Sequence, residues 1–258
     1  RLTAIDGWIT LMVGSGRPLV ERMAWFWHGH FVSSLDKVRT ARLMVEQART
    51  FRRLALGRYR DLVTAVAVDP AMLVYLDGRT STGAAPNENF ARELMELFTL
   101  GVGNYDEPDV RAAAVALSGW TITADGRAVF RPRRHDDTPQ SLLGVSVHDV
   151  DSVVATVLAQ PEAARFVTRK LCRALLGRAD DDLVDSLVTG SAVDLDAGAL
   201  VRSVPEAGLG GARSTTVLEP VRWLAIALRA TGARLPVRTR LSSLRAAGQL
   251  PMMPPNVA

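Results

Sequence analysis

Apolar residues along most of this chain recur at helical spacing. Leu2, Ile5, Ile9 and Met12 line one face of an opening helix. Pro18 suits a first helical position, residues 19–27 continue the element, and Gly29 offers a stop. Inside it Met23, Ala24, Trp25, Phe26 and Trp27 are apolar all round, which predicts burial on every side. A longer helix is expected over 40–56, capped by Thr40 and ended by Gly57. It carries Leu43, Gln47, Phe51 and Leu54 on one face and Arg42, Glu46, Arg49 and Arg53 on another. Shorter helices over 58–68 and 71–76 are punctuated by Asp69-Pro70 and Asp77-Gly78.

A polar loop over 79–86 leads to the most informative run, PNENFARELMELFTLG at 86–101. Asn87 is placed to cap a helix, with Glu88 near its positive end. At about 100° per residue, Asn89, Arg92, Glu93 and Glu96 share a narrow arc, opposite Phe90, Leu94, Leu97 and Phe98. The next helix is expected to be capped by Asp109 and to reach Leu117. The period then changes: two β-prone runs flank Asp125-Gly126, predicting a small hairpin over 121–130. Helical spacing returns over 153–158, 162–176, 182–188, 197–204, 220–231 and 239–247, with a flexible connection at Gly208-Leu209-Gly210-Gly211. The fold class expected is all-α, a multi-helix globular domain with one small β-hairpin near 121–130. No polar linker is long enough to force a boundary, so residues 1–258 read as a single helical domain. The chain opens inside a helical pattern and stops in a loop at Pro254-Pro255-Asn256-Val257-Ala258, which reads as a fragment of a longer protein.

Composition changes the picture only slightly. The 258 residues are 48% hydrophobic and 22% charged, ordinary globular material. No apolar stretch reaches the roughly 18 to 20 residues of a membrane span. Of 31 basic residues only Lys37 and Lys170 are lysine, an arginine bias that fits a GC-rich genome better than a selected phosphate-binding surface. The Arg49 to Arg60 cluster has few interleaved aromatics, so no nucleic-acid partner is expected. Cys172 stands alone, and no internal disulfide is available.

Candidate chemistry gathers at three places. Glu93 and Glu96 lie one helical turn apart, close enough for both carboxylates to meet one divalent cation, with Arg92 beside them for an anionic substrate. The competing reading is that arginines neutralise them in a polar contact that fixes helix register. His28 and His30 flank Gly29 after Trp25-Phe26-Trp27; both reach one metal only if the helix ends at Gly29, and a hydrogen-bonded core histidine is the commoner case. His135-Asp136 lies in a loop after the hairpin, and His148-Asp149 repeats the pair where Asp149 or Asp151 suits a helix cap. The expected metal set is therefore Glu93, Glu96, His28, His30, His135 and Asp136, and the expected catalytic set Glu93, Glu96, Arg92 and His28. Nucleophile-elbow, phosphate-loop and dinucleotide motifs do not occur.

The run at 86–101, together with ERMAWFWHGHF at 21–31, DPAMLVYLD at 69–77 and DVRAAAVALSGW at 109–120, resembles the large bacterial domain-of-unknown-function family numbered 1800. Further matching positions are His135-Asp136 with Leu143-Gly144, Arg169-Lys170-Leu171, Glu219-Pro220-Val221, GQLP at 248–251 and PPNV at 254–257. The resemblance implies longer relatives, export or a cell-envelope location, and a sulfatase-like partner, but no settled activity. Gln140 departs from it, standing where a lysine is common. Two functions stay open: a metal-assisted hydrolase with a Glu/His site, and a non-catalytic envelope or assembly protein.

Overall fold

The computed structural model describes residues 1–191, 197–211, 214–215 and 217–254; residues 255–258 of the closing loop lie outside them. In chain order the elements are α1 (Leu2–Gly14), α2 (Pro18–His30), α3 (Leu35–Val38), α4 (Ala41–Leu54), α5 (Tyr59–Ala67), α6 (Pro70–Tyr75) and α7 (Glu88–Glu93). A π-helical turn, Leu94–Thr99, continues α7, and α8 (Glu107–Ala116) follows. Strands β1 (Trp120–Ile122), β2 (Ala128–Phe130), β3 (Gln140–Leu142) and β4 (Val145–Val147) come next. The chain then runs through α9 (Val150–Leu158), α10 (Pro161–Leu176), α11 (Asp181–Ser191), α12 (Ala197–Leu209), α13 (Pro220–Thr231) and α14 (Val237–Ala246). The chain is mostly helical, as its apolar periodicity predicts.

Two compact units emerge, one of Arg1–Ala55 with Thr216–Ala258, the other of Leu56–Thr215. In the first, α2 packs on α4 and α1 on α13. Met23, Ala24 and Trp27 are fully buried and Trp25 nearly so, while Phe26 is half-buried. Gly29 does not stop α2, which runs on to His30 because a glycine inside a packed helix costs only about 1 kcal/mol. The face of α4 predicted to be apolar is the buried one, with Gln47 accepting a hydrogen bond from Ser33 Oγ. Here α13 copies the predicted span and α14 begins two residues early, at Val237.

The second unit packs α5 on α9, α7 on α8, and α10 on α11 and α12. The hairpin forms as the Asp-Gly signal requires, with Trp120 opposite Phe130. A second hairpin pairs Gln140–Leu142 with Val145–Val147 across Leu143 and Gly144, both at positive φ (49° and 78°). Asp106, not Asp109, caps α8; Asp109 is its partner in a capping box, and the other Asp109 oxygen accepts the Leu143 amide. Asp149 caps α9 in the same way through Ser152. Helix α12 continues past the expected end at Val204 and through Gly208, where an added Cβ would fall 2.7 Å from the Leu176 side chain.

Candidate functional site

The polar stripe of the 86–101 run is built on a helix that changes its winding. Asn87 caps α7 as expected, its Oδ1 accepting the Asn89 amide. From Leu94 the backbone adopts i→i+5 bonding, the Leu100 amide reaching Met95 O at 2.7 Å. That register winds fewer degrees per residue. Phe90, Leu94 and Phe98 are buried as predicted, but Met95 enters the core and Leu97 rolls out to a half-buried position. Carbonyls at the π-helical end are taken by side chains: Lys170 Nζ donates to Leu97 O at 2.8 Å and Tyr59 Oη to Phe98 O. Lys170 also sits 4.5 Å above the Phe166 ring. Burial, with Arg173 nearby, pulls its pKa down to about 8.

Around this segment most charges already have partners. Arg92 forms a two-point fork with Glu107, at 2.6 and 2.8 Å, and approaches Glu88 at 3.5 Å. That fork holds the Glu107 carboxyl below its ordinary pKa. Glu96 accepts the Tyr105 hydroxyl at 3.0 Å; burial and that bond push Tyr105 up to about 12. Glu93 differs: it is half-buried, makes no side-chain hydrogen bond among the described residues, and titrates above its ordinary value through burial and the nearby Glu96 charge. Asn89 is exposed and stands outside the network.

His135 lies in the same unit but is consumed locally. Its Nε2 lies 2.9 Å from His148 O, a pure acceptor, so that nitrogen carries a proton; its Nδ1 lies 3.1 Å from both Oγ and O of Ser118. In either protonation state both nitrogens are occupied. Ser118 is fully buried, so the pair anchors a loop and offers no nucleophile. Two glycines let that loop approach. A Cβ at Gly119 (φ +88°) would come within 2.8 Å of His135 Cβ, and one at Gly83 within 2.5 Å of Asp136 Cβ. Asp136 is itself held below its ordinary pKa by hydrogen bonds from Thr138.

His28 and His30 belong to the other unit. Rings of Trp8, Trp25 and Phe51 surround His28, with Trp8 only 4.9 Å away between centroids. Its Nε2 accepts the Met252 amide at 3.2 Å, and burial lowers its pKa to about 4. A neutral imidazole has one lone pair, and here the backbone uses it. His30 is buried, parallel to Phe26 at 6.0 Å and against Trp27 and Phe31.

Among the described residues no group of three or more His, Cys, Asp or Glu side chains is arranged to hold a metal ion. Tyr105, Glu107, Ser118 and Lys170 take part without having been singled out by their chemistry. For Lys170 a signal existed, one of two lysines in an arginine-dominated chain. No described helix is long and apolar enough to cross a membrane. Compared with known proteins, residues 2–258 match the family described as Protein of unknown function (DUF1800). Neither the curated proteins nor the solved structures gave a match.

Proposed function

The chain belongs to the DUF1800 family, and on that premise we propose that it is a non-catalytic assembly protein whose polar stripe fixes helix register. The observation that carries this reading is the commitment of its nitrogen ligands and its guanidinium. The His28 lone pair is spent on Met252, both His135 nitrogens are spent on Ser118 and His148, and Arg92 is spent on Glu107. A residue that must release a structural bond before binding anything is poorly placed for catalysis. The expected partner class, a sulfatase-like protein at the cell envelope, is carried over from the family resemblance.

A second reading is favoured by Glu93 alone, an acid with raised pKa and no hydrogen-bond partner among the described residues, next to a second carboxylate. In that reading Glu93 and Glu96 hold a divalent cation for hydrolysis. Elemental analysis after dialysis separates the two. Under the assembly reading the protein, Glu93→Ala and Glu96→Ala all lack stoichiometric metal, and the variants differ only in melting temperature. Stoichiometric metal that is lost with either carboxylate overturns it. Co-elution with an added sulfatase-like protein, retained by both variants, is the matching positive result.

A further inference from the structure

In the unit of Leu56–Thr215 a cleft of ≈ 340 Å³ lies between the first hairpin and the start of α9. Trp120 and Phe130, directly opposite each other across β1 and β2, line it with ring centroids 5.5 Å apart. The His135 ring lines it too and meets Phe130 edge to face at 5.2 Å. Gly119 makes this closure possible, since a Cβ there would fall 3.0 Å from the Phe130 ring and 2.8 Å from His135 Cβ. Phe130 remains 38% exposed, so the rings are held in place by their neighbours yet reachable from solvent.

The charge in this cleft is negative. Asp149 and Asp151 line it at the first turn of α9, and its described lining residues include no lysine or arginine. Both Ser152 contacts to the Asp149 side chain, at 2.8 and 2.6 Å, fall on Oδ1 and hold that carboxyl below its ordinary pKa. Its Oδ2 makes no hydrogen bond among the described residues, and the side chain is 50% exposed. Asp151 is exposed and forms no ion pair among the described residues. Two full negative charges outweigh the roughly half a positive charge of a helix start, so a cation is favoured here. The rings decide which cation. A metal ion or a primary ammonium holds its water tightly, whereas an alkylated ammonium is weakly hydrated and gains from the negative face of an aromatic ring.

We infer that this cleft binds a small quaternary ammonium compound. The alkylated head packs against Trp120 and Phe130, and Asp149 and Asp151 balance its charge. The assignment is independent of the role of the Glu93 stripe.

Isothermal titration of the full chain with choline tests it, with 3,3-dimethylbutanol as the neutral probe of the same shape. The expected result is one-to-one binding of choline, about ten-fold tighter than the neutral probe, in keeping with a cation held against desolvated rings. Phe130→Leu keeps apolar bulk but removes a ring, and should weaken choline about five-fold while the melting temperature holds. Asp151→Asn, at an exposed position, should weaken choline about three-fold and leave the neutral probe unchanged. Trp120→Leu should abolish the preference for choline; if it does not fold, the other two variants carry the test. Absence of choline binding, equal binding of the neutral probe, or choline binding unchanged by Phe130→Leu and Asp151→Asn overturns the assignment.

Discussion

Acidification should unfold the unit that holds His28, and His28→Gln should blunt the effect. Burial among Trp8, Trp25 and Phe51 lowers the His28 pKa from 6.5 to about 4. Between those values the unfolded chain binds a proton that the folded chain refuses, so stability rises with pH there and falls on acidification. The penalty is absent above pH 6.5 and complete below pH 4. At about 1.4 kcal/mol per pH unit the interval corresponds to about 3 kcal/mol, a large part of a typical stability of about 5 to 15 kcal/mol. In urea that is a midpoint shift of about 1 M for a slope near 3 kcal/mol/M. Tryptophan fluorescence suits the assay, because Trp8, Trp25, Trp27 and Trp223 all lie in this unit. Gln at 28 keeps an acceptor for the Met252 amide yet does not titrate. It sacrifices ring contacts at every pH, so its midpoint is lower throughout but falls less between pH 7 and pH 4. Every other ionisable group is common to the two proteins and cancels in the difference. Parallel loss of stability in the two proteins would refute the reasoning.

Three further outcomes follow from named contacts. Lys170 has its pKa lowered from 10.5 to about 8, so folding strengthens as pH rises from about 8 toward 10.5, by about 2 kcal/mol after allowance for partial exposure. Lys170→Met should lack that rise when urea midpoints at pH 7.5 and 9.5 are compared with the parent. Gly119→Ala should cost about 3 kcal/mol, since it meets both a positive φ and the His135 side chain; Gly103→Ala, also at positive φ but facing open space, should cost about 1 kcal/mol, and thermal melts rank the two. Tyr59→Phe deletes a buried hydrogen bond to Phe98 O and should lower stability by about 1.5 kcal/mol in urea titration with near-ultraviolet dichroism as the probe.

The helices were legible because this chain punctuates them with residues of fixed backbone preference. Pro70, Pro161 and Pro220 each occupy a first turn, and Asn87 and Asp149 cap as their side chains dictate. The hairpin at Asp125-Gly126 was legible for the same reason. The second hairpin was missed because Leu143-Gly144 places a leucine at φ 49°, a conformation that leucine rarely signals. Asp106 was overlooked for Asp109 because both acids belong to one capping box, and spacing alone does not rank them. The π turn was illegible in principle. A helical wheel assumes one winding angle, and only the packing of Met95 against its neighbours rewards the other.

What separates a site from a scaffold in this chain is partnership across long sequence distances. Periodicity brings Glu93 and Glu96 to one face, and it marks His28 and His135 as residues able to bind a metal. It cannot reveal that His28 answers to an amide 224 residues away, or that Leu97 O is held by Lys170 from 73 residues away. Each such bond converts a chemically able group into a structural one, since releasing it would leave a buried donor or acceptor unsatisfied. Residue type says which groups can do chemistry; the tally of bonds already made says which still can.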